Sequence, residues 1–197
     1  MREARPGVYF WQVQHPEWEP GEGWDALVTS YALDDGEQLI VVDPLRPPAE
    51  LLELAARRQT VVLLTCPWHR RDAESLCLSL GLPLYVPSPD EGDPNPVTGT
   101  IYAAGDRLAV GVDAIRGLEE NDLVLWIERH GAVVAGDTLI DRGEGLIFPR
   151  DWAEKSGDPE ELIKPLLALL DLEVDVVLPT HGLPTDRQAL ARALTHF

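Results

Sequence analysis

Val133-Val134-Ala135-Gly136-Asp137-Thr138-Leu139 decides how this chain is read. A short apolar run bounded by turn residues suits a strand buried on both faces. It delivers a carboxylate next to a glycine, which permits close approach by another group. Asp137 is then either a functional carboxylate or a turn aspartate bonding its own backbone. A second stretch has the same build: Val176-Val177-Leu178-Pro179-Thr180-His181-Gly182. Its histidine sits after a buried-type strand, placed for a ligand or a base, or for a purely structural bond. A third is Leu63-Leu64-Thr65-Cys66-Pro67-Trp68-His69-Arg70-Arg71-Asp72-Ala73. Cys66, His69 and Asp72 are each three residues apart and would lie roughly on one side of a helical turn. Thiolate, imidazole and carboxylate are competent zinc ligands. The bland alternative is a buried cysteine and a packing histidine, and Pro67 speaks against a regular helix at Cys66.

Working outward, Val8 to Val13, Ala26 to Leu33 and Leu39 to Val42 read as strands, the last two joined by the turn signal Asp34-Asp35-Gly36. Pro47 and Pro48 open a helix from Ala49 to Arg58. Thr60 to Leu64 reads as a buried strand, and Asp72 to Leu80 as a helix closed by Gly81. Residues 88–96 form a polar loop. Val97 to Ala103, Arg107 to Val112, Leu123 to Glu128 and Ala132 to Ala135 read as strands, with Arg129-His130-Gly131 a tight turn. Pro159 to Asp171 reads as a helix capped by Ser156 or Asp158, Val174 to Leu178 as a strand, and Pro184 to Thr195 as a closing helix. The two halves share one pattern of elements, in which Asp43 corresponds to Asp137 and Thr65 to Thr180.

Composition bounds the function. The chain has 197 residues, 45% hydrophobic and 25% charged, which fits one domain over 1–197. Sixteen basic residues against 34 acidic give a formal charge of −18, which repels phosphate backbones and anionic membrane surfaces. Nucleic acid and membrane are therefore not expected partners. Two cysteines make no disulfide framework, no apolar run is long enough to span a bilayer, and no apolar segment follows Met1-Arg2-Glu3-Ala4-Arg5. A cytoplasmic protein with reduced thiols is expected.

Taken together, strand-Asp43-Pro44, strand-Thr65, strand-Gly136-Asp137-Thr138 and strand-Pro179-Thr180-His181-Gly182 resemble the metallo-β-lactamase superfamily, from about Val8 to Phe197. The resemblance implies an α/β fold, a four-layer αββα sandwich of two mixed sheets with outer helices and an internal duplication. It implies that Asp137 matches a carboxylate that bridges two metals, that His181 matches the last histidine of the second metal site, and that Asp43 supports the site by hydrogen bonding. The chain also departs from the family. The family's H-x-H-x-D-H positions fall, without gaps, on Cys66, Trp68, Arg70 and Arg71. Leu118 or a neighbour stands where a further histidine belongs.

The resemblance with these departures gives two readings. In the first, a rebuilt mononuclear site of His69, Asp72, Asp137 and His181, with Cys66 as a further ligand, holds one divalent metal (zinc, iron or manganese). Asp137 and His181 serve catalysis, and the chain hydrolyses a small-molecule ester, thioester or similar bond. In the second, the chain holds no metal, is catalytically inactive, and binds a small anionic ligand or a protein partner through Arg70 and Arg71. Of the six tryptophans, Trp68 and Trp152 fall in predicted loops and are candidate pocket walls; the others read as core. Cys66 with His181 as base would make a cysteine nucleophile. Cys77 reads as core, His15 and His196 as solvated, and edge strands make a homodimer the expected assembly.

Overall fold

Along Leu39-Ile40-Val41-Val42 successive side chains point to opposite faces of a sheet, as the period of two requires. Leu39 and Val41 enter one apolar core, whereas Ile40 and Val42 enter another. That alternation, repeated across the molecule, sets its layers. The computed structural model describes residues 1–196. The chain opens with strands β1 (Arg2–Arg5), β2 (Val8–Gln14), β3 (Leu27–Asp34) and β4 (Gln38–Val42), helix α1 (Ala49–Ala55), strand β5 (Gln59–Leu63) and helix α2 (Ala73–Leu80). Strands β6 (Leu84–Pro87), β7 (Thr100–Tyr102), β8 (Arg107–Leu108), β9 (Val112–Arg116), β10 (Leu123–Ile127) and β11 (Ala132–Gly136) follow. A small ribbon of β12 (Ile140–Asp141) and β13 (Leu146–Ile147) leads to helices α3 (Arg150–Ser156), α4 (Pro159–Leu162) and α5 (Lys164–Leu167), strand β14 (Val176–Pro179) and helix α6 (Arg187–Thr195).

One mixed sheet runs β1-β2-β3-β4-β5-β6-β7 and the other β14-β11-β10-β9-β8. Phe10, Tyr31, Ile40, Val42 and Leu63 of the first meet Leu123, Leu125, Val134 and Leu178 of the second in the central core. Leu51 and Ala55 of α1 and Leu76 and Cys77 of α2 cover the outer face of the first sheet. Ala153, Leu162, Leu166 and Leu190, from α3 to α6, cover the outer face of the second. The result is helix, sheet, sheet, helix. The duplication holds at the level of elements: β3 and β4 are antiparallel and β4 and β5 parallel, while β10 and β11 are antiparallel and β11 and β14 parallel. The C-terminal ends of β4, β5, β11 and β14 therefore bring Asp43, Thr65, Asp137 and His181 to one edge of the sandwich.

The structure corrects several expected elements. The run from Arg107 to Val112 is not one strand: at Gly111 (φ +76°) the chain turns back, with its N–H on Leu108 O at 2.9 Å, and Val112–Arg116 continues as a separate strand between β8 and β10. The helix expected over Pro159 to Asp171 is divided into α4, α5 and a 3₁₀ turn over Ala168–Asp171. Pro165 supplies no N–H and crowds the preceding turn. Asp158 is the cap, accepting from Glu160 N at 3.0 Å. Trp152 lies on α3 rather than in a loop.

The halves are tied by Tyr31, almost wholly buried on β3, whose phenol O–H donates to Pro179 O at 2.6 Å. Tyr31→Phe leaves that carbonyl without this partner and is expected to cost about 1–2 kcal/mol. Urea unfolding checks this as a lowered midpoint at unchanged slope.

Candidate metal centre

The site is built from a buried carboxylate outward. Asp43 follows β4 in the left-handed region (φ +46°), an unusual backbone for a residue with a side chain. Its Oδ1 accepts from Thr65 N at 2.9 Å and its Oδ2 from Thr65 Oγ1 at 2.6 Å. These bonds lock the end of β5 to the end of β4. His69 Nδ1 then lies 3.1 Å from Asp43 Oδ2 and 3.0 Å from Thr65 Oγ1. The ring is thereby oriented with Nε2 facing the next strand end, where it stands 3.3 Å from Asp137 Oδ1.

Asp137 is delivered by Gly136 (φ +54°), whose added Cβ would lie 3.1 Å from Asp122 Oδ1 and 3.2 Å from Thr65. Glycine is needed here for both the conformation and the approach. Asp137 Oδ2 accepts from Trp68 Nε1 at 2.9 Å. Oδ1 is buried and has no aligned hydrogen bond, although His69 Nε2 and His181 Nε2 approach it at 3.3 and 3.4 Å. His181 Nδ1 is likewise buried without a partner. The His181 loop is fastened to β3, with Thr29 N on Thr180 O at 2.8 Å and Thr29 Oγ1 on Gly182 O at 2.5 Å.

Cys66, His69 and Asp137 each offer a ligand atom, and the three atoms lie within 4.8 Å of one another. Two ligands on one tetrahedral zinc ion stand about 3.3–3.4 Å apart, given bonds near 2.0–2.1 Å. The separation of 3.3 Å between His69 Nε2 and Asp137 Oδ1 fits that spacing. The orphaned Asp137 oxygen and the mixed sulfur, nitrogen and oxygen donors fit a zinc or iron ion. His181 reaches Asp137 but stands outside the close group.

The charges are strongly coupled. Burial alone would lower the His69 pKa, and Arg71 opposes its charge too, but Asp137 and Asp43 outweigh both and raise it to about 9. Burial pushes Asp137 up, yet His69 and His181 hold it well below the usual carboxylate range. Cys66 is pushed well above its ordinary value by burial and then by Asp137 and Asp43, so without a metal it is a thiol rather than a nucleophilic thiolate. Burial and the Asp137 charge push Asp122 up to about 7.

Asp72 is not a ligand in this arrangement. After the 3₁₀ turn Pro67–His69, Arg71 takes a left-handed conformation (φ +38°). This turns Asp72 toward the preceding loop, where its Oδ2 accepts from Arg46 N at 2.6 Å. Arg70 is also drawn away, to Glu74 at 2.6 Å and Asn95 O at 3.1 Å. Arg71 does line the site cavity, while its Nη1 donates to Asp43 O at 2.8 Å.

The cavity, about 510 Å³, is walled by Trp24, Trp68 and Trp152 around His69, Asp137 and His181. Trp24 stacks at a tilt on His181, with centroids 5.0 Å apart, and His15 meets Trp24 edge-on at 5.4 Å. Sequence reading missed Trp24 and His15, which reach the site on the Pro-rich loop after β2. The only signal available was that loop's density of aromatic residues.

No protein-family model matches the chain, and no curated protein matches it by sequence. Solved structures do match. A metallo-β-lactamase from Pontibacter korlensis aligns with a TM-score of 0.69 at 15% identity, covering 98% of this chain and 96% of that one. The metallo-β-lactamase FIM-1 from Pseudomonas aeruginosa, solved in a mono-zinc form, aligns at 0.64 with 12% identity over 96% and 90%. TTHA1623, solved in a di-iron-bound form, aligns at 0.62 with 22% identity over 86% and 95%. The chain has the metallo-β-lactamase fold.

The His69 pKa gives a direct prediction. In metal-free protein its ring should titrate near 9 by NMR, and Asp137→Asn should lower that value. A folded-state pKa raised above the unfolded value means the stabilisation is full below about 6.5 and is lost as pH rises through the folded value. Metal-free protein should therefore lose stability between these pH values, and Asp137→Asn should flatten the loss.

Proposed function

We propose that this chain is a metal-dependent hydrolase in which Cys66, His69 and Asp137 hold one divalent ion, with His181 beside it. Its substrates carry a small-molecule ester, thioester or similar bond. The observation that carries this reading is the convergence of three donor atoms within 4.8 Å at the ends of parallel strands. Cys66, His69 and Asp137 would hold the ion, which would supply Lewis acidity and activate water. The remaining work falls to the chain. Asp43 Oδ2 would accept a hydrogen bond from the Nδ1–H of His69 and so leave the Nε2 lone pair facing inward. Trp68 fixes Asp137 through Oδ2, so that Oδ1 faces the histidines. His181 Nε2, 3.4 Å from Asp137 Oδ1, is positioned to take and return a proton. The tryptophans wall the cavity and would bind the apolar part of a substrate.

A second reading is supported by the His69–Asp137 pair itself. Without metal, a proton on His69 balances Asp137, and Arg71 remains in the cavity as a cation. The chain would then bind a small anion and catalyse nothing.

Hydrolysis separates the two. Protein loaded with zinc or iron should cleave p-nitrophenyl acetate or a phenyl thioester, lose the activity on chelation, and regain it when the ion is returned. Loss of an outer-shell partner typically weakens a metal site about 10–100-fold, so Asp137→Asn should lower the rate at least about 100-fold. A loaded wild type no faster than Asp137→Asn would leave the metal-free reading.

A further inference from the structure

Two long runs of the sequence carry no charged residue, Ser75 to Pro89 and Asn95 to Gly105, in a chain of formal charge −18. The fold brings them together as α2, β6 and β7 along one margin of the first sheet. A groove of about 690 Å³ there is lined by Cys77, Leu78, Leu82, Leu84 and Gly99. Its one acid, Glu74, is paired with Arg70 at 2.6 Å and accepts from Thr98 N at 3.2 Å. Leu78 is 86% exposed and Ile101 61%, the two most exposed large apolar side chains among the described residues. Ile101 pairs with Val86, which packs against α2, so both lie on the helix-covered side of the sheet.

The other edges of the two large sheets are guarded. β1 carries Arg2, Glu3 and Arg5, shifts register between Glu3 and Arg5, and ties Arg5 to Asp175 at 2.7 Å. β8 is two residues long, and its Arg107 meets Asp113 at 3.0 Å. β14 is covered by Thr185, which exchanges two main-chain bonds of 2.9 Å with Val177. Charge, irregularity and cover are the usual protections of an edge strand. β7 has neither charge nor cover. On β6, Pro83 O and Tyr85 O accept from Val62 N and Leu64 N of β5 at 3.0 Å. Leu84 and Val86 therefore turn their main-chain groups toward β7, where Thr100 stands opposite Tyr85. Thr100 and Tyr102 are thus used by β6. The N–H and C=O of Ile101 face outward, with no partner among the described residues. Two residues on, Ala103 N is taken by Asp106 Oδ2 at 2.8 Å.

We propose that β7 pairs with β7 of a second copy, antiparallel about a twofold axis at Ile101, and so joins the two first sheets into one. Each Ile101 exchanges both main-chain bonds with its counterpart, and each Gly99 N–H reaches the free carbonyl of Ala103 of the partner subunit. The two Ile101 side chains meet on the α2 side, beside Leu78 and the apolar groove. A second copy is the occupant that fits. An isologous pair needs a strand that complements itself, and along this uncharged one two chains of charge −18 approach without opposing carboxylates. The pairing uses no metal, so it stands whether or not the chain is a hydrolase.

Sedimentation equilibrium of the full chain over a wide concentration series tests this. Wild type should reach twice the 21.8 kDa chain mass. Ile101→Lys sets two like charges opposite each other, and Ile101→Pro removes the outward N–H, a change that an edge strand tolerates. Each should weaken the dimer at least about tenfold with far-ultraviolet circular dichroism unchanged, and Ile101→Val should leave it intact. Register is read by cross-linking. Ile101→Cys should link two copies on mild oxidation, since paired Cα atoms would stand about 5.5 Å apart. Ala103→Cys should not, its copies lying about 14 Å apart. Cys66 and Cys77 are buried, so wild type is the unlinked control. A wild type that stays monomeric throughout overturns the pairing. So does a dimer that survives both Ile101→Lys and Ile101→Pro, which puts the interface elsewhere, or a link that forms as readily at Ala103→Cys as at Ile101→Cys.

Discussion

The buried carboxylate of Asp43 is the constraint on which the site depends. Its two oxygens hold the Thr65 amide and hydroxyl, and one of them also meets the His69 ring. A carboxylate that is only 1% exposed is costly unless its lone pairs are met, and here the partners come from the neighbouring strand end. Satisfying Asp43 therefore aligns β4 with β5, orients His69, and places Nε2 opposite Asp137. The Asp43 carbonyl is used as well, by Ser30 Oγ at 2.6 Å and Arg71 Nη1 at 2.8 Å. Around them the chain takes left-handed conformations at Asp43, Arg46 and Arg71, with the Arg46 N–H held by Asp72 Oδ2 at 2.6 Å. Such backbone strain is sustained only where the surroundings over-determine it.

The duplication explains why function gathers at one edge. In each half a strand runs parallel to its neighbour, so both strands of the pair end on the same side. The first half contributes the rigid support and two donors, Cys66 and His69. The second contributes Asp137 and His181. Tyr31 and Thr29 of the first sheet bond Pro179 at the end of β14 and Thr180 and Gly182 in the loop after it, and so tie the two halves together. The geometry of the centre is thus a property of how the two sheets pack.

How much of this was legible in the sequence followed from how local each cause was. Asp137 and His181 stood out because buried strands are short apolar runs, and the residues after them must lie at strand ends. The layers followed from alternation. Cys66 and His69 were visible by their spacing, but Asp72 was drawn into the same set because nothing local announces that Arg71 adopts a left-handed backbone. Arg70 and Arg71 looked equivalent as neighbours, yet that same turn sends one to Glu74 and the other into the cavity. β9 was hidden because Gly111 reverses a run that reads as continuous. α3, which carries Trp152 and Lys155, is short, begins after Pro149 without a side-chain cap, and has charged residues in its first turn. Trp24 and His15 belong to the site through packing across more than 150 residues of chain, from Trp24 to His181, a contact no local pattern encodes.

The central claim is that Cys66, His69 and Asp137 bind one ion together, and cobalt substitution tests it most directly. Cobalt(II) bound by a thiolate absorbs strongly in the near ultraviolet, so the spectrum reports Cys66 itself rather than activity. The account predicts one equivalent of cobalt with a thiolate charge-transfer band. Cys66→Ser should lose the band, His69→Ala should lose the ion, and Asp72→Asn should change neither. Cobalt bound without the band, or a band that depends on Asp72, would contradict it.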